Sequence, residues 1–222
     1  VSIGATGTSS LADLVAAQLV DEVRSTGQSE YAFHHPLIRA VAYESQLRSD
    51  RAEMPRRVAV ALDQRKRALA DEDAALIAEH LEAAGELRAA YGWQMRAATW
   101  ARSRDIVAAR LSWDRARAIA DAQATDDPDR EGMRIAPRTM LCATDYRVRA
   151  HDAANRFDEL RQLCCTAGDK VSVAVAMAGL VMDRAYQGQI RQASRLASEA
   201  MALIESLADA TLTVGLSFPA IY

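Results

Sequence analysis

The chain has 222 residues, half of them hydrophobic and only 5% aromatic, with a formal net charge of −3. This near-neutral balance gives no global electrostatic case for binding nucleic acid or an anionic membrane, and three cysteines do not suggest a disulfide framework. No apolar run approaches the roughly 20 residues that span a bilayer. The sequence therefore predicts a cytoplasmic protein that is rich in helix-forming residues.

The start of the chain is polar and glycine-rich, but its GATGTSS string lacks the Gly-Lys pair that a phosphate loop needs. We expect a lead-in that ends in an N-cap at Ser10. Apolar spacing predicts a helix over residues 10–23, and alternation predicts a short strand over residues 30–34. Together with a return helix at Pro36, this pattern is typical of the C-terminal part of a winged-helix domain, over residues 1–47.

Two adjacent histidines, His34 and His35, stand at the corner between this strand and the next helix. Successive side chains of a strand point to opposite faces, so the pair is poorly placed to hold one metal ion. A packing or capping role is the better interpretation. Pro36 suits the first turn of a helix over residues 37–47, because a missing N–H costs nothing there.

The next segment, residues 49–68, is predicted to be a helix with an acidic start and a basic end, as the helix dipole favours. Pro55 lies inside it and predicts a break or kink. The Arg and Lys side chains over residues 48–67 leave open a second function, nucleic-acid binding beside the winged helix. Interleaved acidic residues such as Asp50 and Glu53 weaken that alternative.

The segment over residues 85–121 predicts two amphipathic helices joined by a turn near residues 103–105. Large and small residues share one face of each helix at the spacing i, i+4, i+7, namely Trp93, Ala97 and Trp100, then Ala109, Trp113 and Ala116. Such alternation lets antiparallel helices approach closely, with an indole beside an alanine. It matches the register of the tetratricopeptide repeat (TPR), a unit of about 34 residues. An ordinary helical hairpin in a bundle remains the alternative.

The remaining chain also has helical periodicity, interrupted by a loop over residues 124–130. Helices are predicted over residues 71–84, 129–150, 153–167, 170–187 and 189–208, with a further one starting at residue 211. Small residues recur at the offsets of a second repeat helix at Ala193, Ala197 and Ala200. A further helical unit is therefore expected at this end, although strict periodicity fails.

No group of residues at interpretable spacing supplies a nucleophile, a base and an orienting group. The vicinal Cys164 and Cys165 have no evident cationic neighbour that would lower a thiol pKa. The pair His151 and Asp152 lacks the further ligands that a metal site needs. We therefore expect no enzyme activity, no cofactor and no metal site in these residues.

Two strings, EYAFHHPLIRAVAYESQLRSDRAE and AALIAEHLEAAGELRAAYGWQMRAATWA, carry a family resemblance. They resemble the junction between winged helix and repeats, and the opening of the repeats, in signal-transduction ATPases with numerous domains (STAND). Related groups are bacterial maltose-activator-type transcriptional regulators and mycobacterial nucleotide-cyclase or LuxR-type multidomain proteins. At the junction, the residues that carry the resemblance include Phe33, His35, Pro36 and Tyr43.

The resemblance implies a regulatory segment downstream of a nucleotide-binding domain of the same polypeptide. The ATPase core with its P-loop, a cyclase domain and a DNA-binding domain are absent from these residues, and we expect the chain to be a fragment of a longer protein. The predicted fold is all-α, a TPR-like superhelical array over residues 48–222 preceded by a partial winged helix with a short β-hairpin. The predicted function is a non-catalytic interaction scaffold that binds a protein or small-molecule effector on its concave face. Its state would pass through residues 31–47 to the ATPase.

Overall fold

The computed structural model describes residues 8–25, 28–44, 48–63 and 71–216. These residues are mostly helical, with one small two-stranded antiparallel sheet, which confirms the all-α class. Most of the glycine-rich lead-in, the basic residues 65–67 and the end of the chain from residue 217 lie outside the described residues. Within the described part, no helix combines the length and the apolar character that crossing a membrane requires.

The N-terminal unit contains a β-hairpin that packs between two short helices. Its elements are α1 (Thr8–Ala16), β1 (Val20–Ser25), β2 (Gln28–Phe33) and α2 (Pro36–Glu44). The strands pair antiparallel, with Val20 opposite Phe33 and Ser25 opposite Gln28. Helix α1 contacts β1 and α2 contacts β2, so the hairpin links the two helices.

The helix predicted over residues 10–23 is wrong beyond Ala16. Gln18 adopts a positive φ of 54°, which ends the helical path, and the chain enters β1 at Val20. Its β-branched valines suit a strand better than a helix, and pairing with β2 decides the outcome. Ser10 also lies inside α1, which begins at Thr8, so it is not an N-cap.

A series of helical hairpins follows. The helices are α3 (Arg48–Asp63), α4 (Ala74–Ala83), α5 (Leu87–Ala101), α6 (Ile106–Asp121), α7 (Arg130–Val148), α8 (Ala153–Ala167), α9 (Lys170–Tyr186), α10 (Ile190–Leu207) and α11 (Ala210–Leu216). Each helix packs against the next, and α9 also packs closely on α7. Pro55 lies within α3 and Pro137 within α7, so both helices run through their prolines.

Short turns with defined caps fix the hairpins around α6 and α8. The Asp105 carboxylate accepts hydrogen bonds from the N–H groups of Val107 and Ala108, at 2.9 and 3.0 Å, and starts α6. Gly168 ends α8 with a φ of 72°, which a side chain would disfavour. Asp169 then accepts a hydrogen bond from the Ser172 N–H at 2.9 Å and starts α9.

Candidate interaction groove

A solvent-open cavity of about 570 Å³ lies between α6 and α8, with α7 beneath it. We call this cavity the central groove. It is lined by Val107, Arg110, Leu111, Asp114 and Arg117 of α6, Arg138, Leu141 and Cys142 of α7, and Arg156 and Glu159 of α8. The α6 residues recur every three or four positions, so one face of that helix forms a wall. The buried side of α6 carries Ala109, Ala116 and Trp113 and packs into the core.

A buried carboxylate beneath the lining of the central groove ties its three helices together. Asp145 of α7 is only 1% exposed, and its Oδ1 lies 2.7 Å from Nη2 of Arg110 and 2.9 Å from Nη2 of Arg156. The second oxygen accepts a further hydrogen bond from Arg156 Nε at 3.2 Å. Arg110 also donates to the Leu141 carbonyl and the Thr144 hydroxyl. Burial alone would lower the pKa of Arg156, but Asp145 raises it above its ordinary value.

A second ion cluster supports the other end of the groove. Asp121, at the end of α6, accepts hydrogen bonds from Arg138 Nη2 at 2.8 Å and Arg134 Nε at 3.1 Å. Arg117 lies 3.7 Å from the same carboxylate. Burial favours the neutral acid, but the hydrogen bonds and charges of the two α7 arginines outweigh it and hold the pKa of Asp121 below its ordinary value.

The lowered pKa of Asp121 predicts a pH-dependent contribution to stability. The contribution is fully present above the unfolded-state pKa of about 4 and is lost as pH falls through the lower folded-state pKa. Asp121→Asn removes this titration. We expect the wild-type free energy of unfolding, measured in urea from neutral pH to about pH 2, to fall more steeply than that of the variant. Parallel pH profiles for the two proteins would contradict this assignment.

Cys142 is the thiol on the floor of the groove. Burial, reinforced by the nearby Asp145 carboxylate, raises its pKa to about 12. Burial also raises the pKa of Cys164, in the core of the same helical unit, to about 11. Both side chains are therefore protonated at neutral pH and are poor nucleophiles.

The two buried thiols should be alkylated much more slowly than the exposed thiol of Cys165. We expect iodoacetamide to alkylate the exposed Cys165 in the folded protein near pH 8. Cys142 and Cys164 are buried, so they should be alkylated only after unfolding. Mass spectrometry of peptides from native and urea-unfolded samples measures this. Rapid native alkylation of Cys142 would show that the floor of the groove is accessible and its thiol activated.

A second groove repeats the same arrangement one hairpin later. A cavity of about 380 Å³ lies between α8 and α10, with α9 beneath it. Its lining includes Arg161 of α8 and Arg195 of α10. Helix α8 thus forms a ridge, with Arg156 facing the central groove and Arg161 facing the second one. Successive hairpins present equivalent grooves on the array.

None of the residues predicted to form the repeat core is among the residues that line the two grooves. Trp113 is 1% exposed and packs with Ala98, Ala101, Ala109 and Leu141. Trp93 and Trp100 are only half-buried, with the guanidiniums of Arg96 and Arg104 each 4.6 Å from the respective ring centroid. Of the predicted alanines, Ala97, Ala109, Ala116, Ala193 and Ala200 are buried and Ala197 is half-buried.

The predicted junction residues lie on an exposed corner. Phe33 is 46% exposed at the end of β2, and Pro36 begins α2. His35 accepts a hydrogen bond from the Leu37 N–H through Nδ1 at 3.1 Å, while Nδ1 of His34 lies 3.0 Å from Asp21. The side chain of Tyr43 lies outside the described residues. Among those residues, no three His, Cys, Asp or Glu side chains are grouped as metal ligands.

Sequence reasoning missed the residues that build the central groove, above all Arg110, Asp145 and Arg156. Charged residues on amphipathic helices are usually solvated, and these three come from separate helices. One signal was available: Asp145 stands four residues after Leu141 and three after Cys142, on the buried side of α7. A carboxylate in that stripe requires a cationic partner.

Comparison with models of protein families, with curated proteins and with solved structures finds no match to this chain.

Proposed function

We propose that this chain is a non-catalytic interaction module, a helical array that binds a partner protein through the central groove. The observation that carries the proposal is the pairing of an exposed apolar rim with ordered arginine side chains in the groove lining. Val107 and Leu111 are 68% and 55% exposed, one helical turn apart on α6. Large apolar side chains next to fixed polar groups are typical of recognition surfaces.

The chemistry of the lining supports recognition over catalysis. Its polar groups are guanidiniums and carboxylates, and its one thiol, Cys142, is held protonated by burial. The Arg110–Asp145–Arg156 bridge fixes the walls relative to the floor before any partner arrives. Such preorganisation reduces the ordering cost of binding. Burial of Val107 and Leu111 by a partner would contribute about 1–2 kcal/mol each.

The resemblance to STAND ATPases extends this proposal to regulation. In that setting the helical array senses a partner, and residues 31–47 transmit its state to a nucleotide-binding domain of the same polypeptide in the cytoplasm. A TPR-like repeat array joined to a partial winged helix is the corresponding fold. The support is the order of the elements: helix, hairpin, helix, then stacked helical hairpins.

Nucleic-acid binding through the basic segment over residues 48–67 receives less support. Within α3, the guanidinium of Arg56 forms an ion pair with Glu86, which offsets part of the positive charge of this segment. A salt-titrated DNA-binding assay separates the two functions, because phosphate contacts give affinity that falls steeply with salt. Tight, strongly salt-dependent binding would favour the nucleic-acid function.

The interaction function is tested by selecting ligands from a phage library of random peptides on the immobilised chain. We expect selected peptides to bind the wild type and to bind the double variant Val107→Ser, Leu111→Ser at least about tenfold more weakly, a loss of about 1.4 kcal/mol. Fluorescence anisotropy with the purified peptides measures the affinities. Circular dichroism checks that each variant keeps its helical content.

The matched control is Ile190→Ser, which removes an equally exposed apolar side chain at the start of α10, outside the central groove. Its peptide affinities should equal those of the wild type. Selected peptides that bind the double variant as tightly as the wild type would contradict the proposed site.

A further inference from the structure

We propose that the partner segment recognised by the central groove is acidic, with one carboxylate side chain bound by Arg156 and its apolar neighbours packed on Val107 and Leu111. This inference rests on the proposed function and adds the chemical class of the partner.

The sharing of Asp145 by two arginines points to a carboxylate ligand. The guanidiniums of Arg110 and Arg156 both bind this one carboxylate. The two arginines are not equivalent: the Arg110 side chain is 14% exposed and the Arg156 side chain is 34% exposed. Arg156 is therefore the member of this cluster that solvent, or a ligand, can reach.

Arg156 also retains hydrogen-bonding capacity towards a ligand. Its Nε and Nη2 donate to Asp145, whereas no acceptor for its Nη1 occurs among the described residues. A guanidinium can bind two carboxylates on different edges, since it carries five N–H donors in a fixed plane. Hydrogen bonds between two charged groups are about twice as strong as neutral ones. A carboxylate of the partner thus binds the edge of Arg156 that Asp145 does not occupy.

The other charged groups of the lining form ion pairs. Arg117 lies on the α6 wall with its side chain 38% exposed, and it pairs with Asp114 and with Asp121, which Arg138 of α7 also binds. The four arginines of the groove lining are balanced by Asp114 and Glu159 in the lining and by the paired Asp121 and Asp145 beside it. The preference for an acidic segment therefore depends on the solvent-exposed edge of Arg156 and not on a net charge of the groove.

The apolar rim favours a peptide segment over a small free anion. Val107 and Leu111 stand one turn apart beside Arg110 and remain more than half exposed. A small carboxylate could satisfy Arg156 but would leave both side chains in water. A chain that carries apolar residues beside an Asp or Glu satisfies both parts of the surface.

The test uses three pools of fluorescein-labelled peptides of about 12 residues, which span roughly 40 Å when extended. All pools carry the same Leu and Phe positions, and the variable polar positions are Asp and Glu, Asn and Gln, or Lys and Arg. Fluorescence anisotropy with the full chain gives the affinity of each pool. We expect the acidic pool to bind at least about tenfold more tightly than the amide pool.

Two sets of variants locate the effect. Arg156→Gln should abolish the preference for the acidic pool, whereas Arg195→Gln, the same charge change in the second groove, should preserve it. Leu111→Glu and Leu111→Lys remove the same exposed leucine and differ only in charge. The glutamate variant should bind the acidic pool at least about tenfold more weakly than the lysine variant. Because position 111 is exposed, this comparison does not depend on the buried ion cluster.

The outcomes separate this inference from the proposed function. Equal binding of the acidic and amide pools, lost in the Val107→Ser, Leu111→Ser variant, would uphold an interaction groove and overturn its acidic specificity. Preferred binding of the basic pool would also overturn it, as would displacement of the acidic pool by free glutamate at similar concentration. No binding by any pool would contradict both proposals.

Discussion

Asp145→Asn is expected to lower the free energy of unfolding by about 3–5 kcal/mol, the cost typical of removing one partner of a buried ion pair. The Asp145 side chain is 2% exposed and balances two guanidiniums from different helices. An asparagine keeps the shape and one acceptor oxygen but removes the charge. Arg110, itself largely buried, would then hold a positive charge in a site of low dielectric.

Urea unfolding followed by circular dichroism measures this loss. The matched control is Asp114→Asn on the α6 wall of the same groove, because Asp114 is 56% exposed and, among the described residues, pairs only with Arg117. Exposed pairs contribute about 0–1 kcal/mol, so that variant should be nearly as stable as the wild type. A similar small effect for both variants would show that Asp145 does not hold the three helices together.

Gly179→Ala is expected to cost about 1–3 kcal/mol, because a methyl group at this position overlaps backbone atoms of α7. A Cβ on Gly179 would lie 2.5 Å from the carbonyl oxygen of Cys142 and 2.6 Å from the Cα of Ala143. Backbone atoms inside a helix cannot move aside as a flexible side chain can, so α7 and α9 would have to separate. Their close approach places Cys142 at the floor of the central groove.

The control for this substitution is Gly92→Ala in α5. A Cβ at Gly92 meets no atom within 4 Å, and alanine has the higher helix propensity. Thermal and urea unfolding should therefore show a gain of about 0.5–1 kcal/mol for Gly92→Ala and a loss for Gly179→Ala. Equal behaviour of the two variants would contradict the tight α7–α9 contact.

The helices that sequence reasoning placed best are those with a long apolar period and a clear stop. Helix α8 spans the predicted residues, Ala153–Ala167, because Gly168 ends it and Asp169 caps the start of the next helix. The N-terminal prediction failed after Ala16, where apolar residues continue but a positive φ at Gln18 turns the chain into a strand. The tertiary pairing of that strand overrides the local helical spacing.

The groove itself could not be derived from periodicity. The stripe that contains Trp113 shows which face of α6 is buried. The groove is built from the more exposed residues of α6, whose pattern is that of an ordinary solvated surface. The partners Arg110 and Asp145 lie on different helices, and their separation along the chain hides the pairing. What a single sequence does show is that a carboxylate on a buried stripe needs a cation, without showing which one.

The most direct test of the central claim is to map the binding surface of a selected peptide by methyl NMR on the full chain. The expected result is a set of chemical-shift changes centred on Val107, Leu111 and Leu141, which line the central groove. Changes centred instead on the exposed Leu37 and Val41 of α2, with the central groove unaffected, would contradict it.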